Sequence, residues 1–188
     1  MHTPSHIIFN LAFLWGKKKQ QFHIPIFLWA LLPDVSMFFF VLIEKVRWYP
    51  MEVIFEERYY LPYWQALFDI WHSFPVIALF FWIAMYLKRD WWKYLFSSMW
   101  VHSLFDLPLH HDDTHRHFWP ISDFRFYSPV SYWDPAHYGH IFAWIEAVMV
   151  LILSVYLMRT LKYTYSKVLV WVLSILIVWG FLFFFFWF

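Results

Sequence analysis

From Ile24 to Ile43 the chain reads IPIFLWALLPDVSMFFFVLI, 20 residues in which Asp34 is the only charge. A run of that length and polarity matches the roughly 20 residues a helix needs to cross a bilayer, where every backbone N–H and C=O must find a partner inside the segment. Comparable runs follow: QALFDIWHSFPVIALFFWIAMYL, WWKYLFSSMWVHSLFDLPL, GHIFAWIEAVMVLILSVYLM and LVWVLSILIVWGFLFFFFWF. An earlier apolar stretch, TPSHIIFNLAFLW, is too short to span alone; Thr3 and Pro4 supply a cap and first-turn residue for it, and Gly16 a stop. The expectation is an all-α integral membrane protein, a bundle of about five transmembrane helices plus a short N-terminal helix, forming one membrane domain over residues 1–188.

Composition agrees with the solvent implied by these runs. Hydrophobic residues make up 62% of the chain and aromatics 27%, with a mean hydropathy of +0.50, well beyond a soluble domain. The net charge of +1 offers nucleic acid no basic surface, so none is expected as a partner; membrane lipids are. Without cysteine there are no thiolate ligands, disulfides or Cys nucleophile, which leaves His and carboxylates for metal chemistry. Lys17, Lys18 and Lys19 follow the first apolar run where a secretory signal would carry its charges ahead of it, so that segment is expected to be retained. Tyr and Trp read as an interfacial belt and packing residues.

Lysine and arginine in the short connections set the orientation. Lys17–Lys19, Lys88, Arg89, Lys93, Arg159, Lys162 and Lys167 fall on one side, which is expected to be cytoplasmic. The opposite side carries the loop 108–138, with HHDDTHRH at its start, and an outer charge run comprising Glu44, Glu52, Glu56 and Glu57. The expected location is a bacterial inner (plasma) membrane with the His/Asp-rich loop outside.

A rise of 1.5 Å per helical residue then gives depths. Asp34, His6 and His102 each fall about 15 to 16 Å above the cytoplasmic edge, and His72 and Glu146 about 10 Å below the outer one. Asp106 stands one turn above His102 on the same face, and Asp69 one turn above His72. Ionisable groups are expensive at such depths unless they face one another or a wet cavity. A shared pocket of His and Asp is a usual setting for zinc or, with more oxygen donors, manganese or iron. Loop residues His110, His111, Asp112, Asp113, His115 and His117 are either further ligands or a solvated loop with an Asp-capped turn. His2, His23, His137 and His140 lie beside span ends and read as interfacial.

In order along the chain, SH at His6, LLPD at Asp34, HS at His72 and HSLFD at His102 and Asp106, followed by an outward Trp-Pro, resemble the inner-membrane metal-dependent hydrolase family of the YdjM type. The resemblance covers about the first 120 residues. In that family the motifs look like an N-terminal His, P-D-x-D-H, H-R-G-x-T-H-S and S-H-x-x-x-D. Here Ser36 and Met37 stand where the second Asp and His would be, and Leu67, Phe68 and Asp69 replace His-Arg-Gly.

Three function classes follow. The first is a metal-dependent hydrolase acting at the outer membrane face on a lipid or phosphoester. Its ligands would be His6, Asp34, His72, His102, Asp106, His110 and His111, with Asp69 or Asp106 as the catalytic carboxylate and a divalent metal, zinc ahead of manganese or iron. The second is a non-catalytic metal-binding or ion/proton-pathway protein using Asp34 and Glu146. The third is a haem carrier with His72 and His102 as axial ligands.

Overall fold

The structure is a computed structural model describing residues 1–14 and 20–187. The lysine triplet and Gly16 lie outside the described residues. Among the described residues seven longer helices account for the architecture: α1 (Thr3–Leu14), α2 (His23–Val46), α3 (Pro62–His72), α4 (Phe74–Tyr86), α5 (Asp90–Asp106), α6 (Gly139–Thr160) and α7 (Thr164–Trp187). No strand occurs among the described residues.

Helices α2, α6 and the Thr164–Phe181 part of α7 are each long and apolar enough to cross a membrane, consistent with a membrane protein. They turn Phe38 and Phe39, Val148 and Ile152, and Trp171 and Trp179 outward, large apolar side chains that suit lipid contact. The stretch from Gln65 to Leu87, expected as one helix, is two. Helices α3 and α4 meet at Ser73 with a bend of 45°, and together they pass as a fourth span. The cause is written in HSFP: Pro75 has no N–H to continue the α3 ladder, and Ser73 caps α4 by accepting from the Val76 N–H at 3.2 Å. Helix α5 has only 17 residues, and its sequence includes Asp90, Lys93, His102 and Asp106. On length and composition the described residues hold three candidate spans, or four if the bent pair is one span, and the expected five is not confirmed.

The bundle is organised around α2, which packs against α5, α1 and α3. Small polar residues tie α1, α2 and α5 together where their backbones approach. Ser98 Oγ donates to Ile26 O at 2.8 Å, while Asn10 Nδ2 donates to Ser98 O at 2.8 Å and to its Oγ at 2.9 Å. Ile7, Ile8, Leu11, Ile26, Ala30 and Val150 fill the space around this knot. Helix α6 closes over α1, with Glu146 accepting from Ser5 Oγ at 2.5 Å and from the His2 backbone N–H at 3.1 Å.

Glu44 corrects the reading of an outer charge run. It is fully buried and accepts from Arg47 Nη1 at 2.9 Å, Arg58 Nε at 3.0 Å and Trp64 Nε1 at 2.8 Å. These contacts fasten the end of α2 to the connection and the start of α3. The connection itself makes a helical turn at Met51–Val53 and a π-helical turn at Ile54–Arg58.

Candidate metal centre

His102 and Asp106 are four residues apart on α5, so one face carries both. Asp34 comes from α2, directly after Pro33, and His72 is the last residue of α3. The helix packing brings these four together. One ligand atom from each of Asp34, His72, His102 and Asp106 lies within 4.8 Å of every other, the one such group of three or more His, Asp or Glu side chains among the described residues. Their closest approaches are His102 Nε2 to Asp106 Oδ2 at 2.9 Å, His102 Nε2 to Asp34 Oδ1 at 3.4 Å and His72 Nε2 to Asp106 Oδ2 at 3.5 Å. Neighbouring donors bound at about 2.0–2.2 Å to one tetrahedral or octahedral ion stand about 2.8–3.6 Å apart. The spacing fits a shared ion.

Both imidazoles are oriented for that role. His102 Nδ1 is 2.8 Å from Ala30 O, in the turn before Pro33, and His72 Nδ1 is 2.8 Å from Phe68 O. A carbonyl only accepts, so each Nδ1 carries a proton, and Nε2 is the nitrogen left to take a metal ion. Neither Nε2 makes a hydrogen bond, and neither does Asp34 Oδ2. Buried polar atoms without partners are costly, and here they converge on one point. His102 is fully buried, Asp106 is 2% exposed, and Asp34, with 19% of its side chain exposed, is the most open member of the set.

No family model, curated protein or solved structure matches the chain.

Of the other residues singled out in the sequence, His6 and His110 border the group through Asp106. His6 Nε2 lies 2.9 Å and His110 Nε2 3.4 Å from Asp106 Oδ1, the oxygen that also lies 3.1 Å from the Met1 amino nitrogen. His111 is apart, stacked on His137 at 3.6 Å with its Nδ1 on Ser128 O. Asp69 is also outside the set. Its carboxylate accepts from the Arg116 N–H at 2.8 Å and from Arg116 Nε at 2.5 Å, with Arg125 Nη2 at 3.6 Å, and so holds the loop to α3. This corrects its assignment as a free catalytic base. Glu146 serves the α1–α6 contact described above.

The loop 108–138 is folded into the protein. His110, His115 and His117 are buried, and the His115 ring stacks on His72 at 3.9 Å. Burial, with His72 beside it, pushes His117 down to about 3, and burial likewise holds His115 well below the ordinary imidazole range; both are neutral. Burial alone would raise the Asp113 carboxyl, but neighbouring His110 and the Trp133 N–H more than reverse this and hold it below its ordinary value. Sequence reading did not single out Tyr132, whose ring stands 5.1 Å from His110 and 5.3 Å from His2. Burial raises its hydroxyl well above the usual range, so it remains a proton donor. Nothing in the spacing of the loop marks that position.

Proposed function

We propose that the chain is a membrane-embedded, metal-dependent hydrolase acting at the outer face on a lipid-like ester or phosphoester, with zinc as its metal. The observation that carries this reading is the convergence of Asp34, His72, His102 and Asp106, two imidazoles and two carboxylates, on one buried point. Their charge of −2 balances a divalent cation, which a low-dielectric interior requires. When bound there, such a cation acidifies water and polarises an ester oxygen.

The chain's own groups supply the remaining functions. His72 and His102 are held by Phe68 O and Ala30 O so that ligand geometry is set before an ion arrives. Asp34 Oδ2, which makes no hydrogen bond and belongs to the most open member, is the acceptor for a proton leaving the attacking water. A haem between His72 and His102 does not fit, because Asp106 Oδ2 lies 3.5 Å and 2.9 Å from their Nε2 atoms, in the space a porphyrin plane would occupy.

Purified protein assayed on a panel of acyl-ester and phosphoester substrates in mixed micelles should turn over at least one class. Activity should vanish with chelator and return with added zinc. A protein that retains its ion and hydrolyses none of the panel would instead be a metal-binding or ion-pathway protein.

Orientation is tested separately. Ser128, in the loop, is only 2% exposed, whereas Ile121 is 80% exposed, so a cysteine is best placed at Ile121 of this Cys-free chain. An impermeant maleimide should label Ile121→Cys from the outer side of intact cells; labelling only after inside-out inversion would reverse the topology.

A further inference from the structure

We infer that the groove between α6 and α7 is a binding site for one anionic phospholipid, with an acyl chain along the groove and the phosphate on Arg159. The groove has a volume of about 520 Å³ and follows the half of α6 remote from the loop 108–138. Leu151, Val155 and Met158 of α6 and Trp171, Ile175 and Trp179 of α7 wall it, each at least 36% exposed. Along α7 it runs from Val170 to Trp179. That stretch is about 14 Å of helix, close to the depth of one leaflet, half of a hydrocarbon core about 30 Å thick.

The floor of the groove leaves no hydroxyl proton free for a ligand. Ser174 Oγ donates to Val170 O at 2.6 Å, and a hydroxyl has one proton to give, so Ser154 is the donor in its 2.7 Å contact with Ser174. Both protons are therefore committed within the helix pair, and the Val170 side chain between them and α6 is fully buried. Small serines at this level let the two helices pack closely. What such a channel takes up is hydrocarbon.

The mouth is different. Arg159, in the last turn of α6, lines the groove itself, and Lys162 and Lys167 follow closely in sequence. From Ala147 to Phe188 the chain contains no Asp or Glu, and among the described residues none of these three cations is in an ion pair. Tyr163 and Tyr165, exposed and stacked at 5.3 Å, suit the headgroup level at this end. A guanidinium at the end of an apolar channel is complementary to a lipid phosphate, and basic pockets between transmembrane helices hold such headgroups. A second copy of the chain fits less well. A two-fold axis along the membrane normal would bring Arg159, Lys162 and Lys167 of both copies to one height, like charge beside like charge.

The test is native mass spectrometry of the full chain in mild detergent, titrated with phosphatidylglycerol or with phosphatidylcholine of identical acyl chains. Chelator is present throughout, so the result is independent of the metal centre. Wild-type protein should bind phosphatidylglycerol at least about tenfold more tightly, the gain expected of a charge-assisted contact. Arg159→Gln should lose that preference. Ile175→Trp, which fills the groove from a half-exposed position, should weaken the binding of both lipids. Arg89→Gln, at the same end of the bundle but outside the groove, should behave as wild type. Each variant is checked for unchanged helical circular dichroism. Equal affinity of the wild type for the two lipids, or an undiminished preference in Arg159→Gln, overturns the proposal. So does a dimer that retains no lipid and that Ile175→Trp dissociates, which would make the groove a contact between copies.

Discussion

His102→Ala should abolish high-affinity metal binding while leaving the helices assembled. The imidazole touches both carboxylates of the metal centre and is aimed at them by Ala30 O, so its loss removes the donor nearest the common point. Without it Asp34 and Asp106 face each other across a buried gap with only His72 between them, and affinity should fall by at least about 100-fold, the upper part of the range already seen when mere outer-shell partners are lost. Apolar length, which drives insertion, is untouched. Metal content per folded protein at matched detergent is the measurement, and a full complement in His102→Ala would place the metal elsewhere.

Asp69→Asn should instead destabilise the protein without removing the ion at His102. The carboxylate is fully buried and takes both the backbone N–H and the Nε of Arg116; an amide there turns an N–H group toward a guanidinium. Breaking a buried ion pair costs about 3–5 kcal/mol, and because Arg116 is 21% exposed the loss should be nearer 2–3 kcal/mol. Thermal unfolding followed by tryptophan fluorescence should shift down, and protease should cut within the loop at a lower concentration. Unchanged stability with lost turnover would return Asp69 to the role of catalytic base.

These two residues mark what could be read from the sequence. His102 and Asp106 are one turn apart on a helix, and the depth of His6, Asp34 and His72 follows from a fixed rise per residue, so local periodicity alone set them at a common level. Asp69 also sits one turn from His72, three residues before it, but its partner Arg116 is 47 residues away in a loop without periodicity. No local rule reports such a pairing. Glu44 failed in the same way: its neighbours in sequence are charged and its neighbours in space are Arg58 and Trp64. The break at Ser73 is different, because HSFP carried the capping serine and the proline in plain view, and the strength of the apolar run around them hid it. Burial of His110, His115 and His117 depends on the loop's long-range contacts, which nothing in its composition indicates.

The same break has a bearing on how the protein is made. Where α3 gives way to α4, the Phe74 N–H donates to His117 O at 2.8 Å and Ser73 Oγ donates to Trp119 O. The acceptors that complete this bent span are therefore synthesised more than 40 residues after it. Until then the Phe74 N–H at the bend lacks the carbonyl that it meets in the folded protein. Those two hydrogen bonds close only once Trp119 has been made, and His72, at the very end of α3, adjoins them. The Asp34/His72/His102/Asp106 group and the docked loop therefore share the backbone at Ser73 and Phe74 as a common anchor.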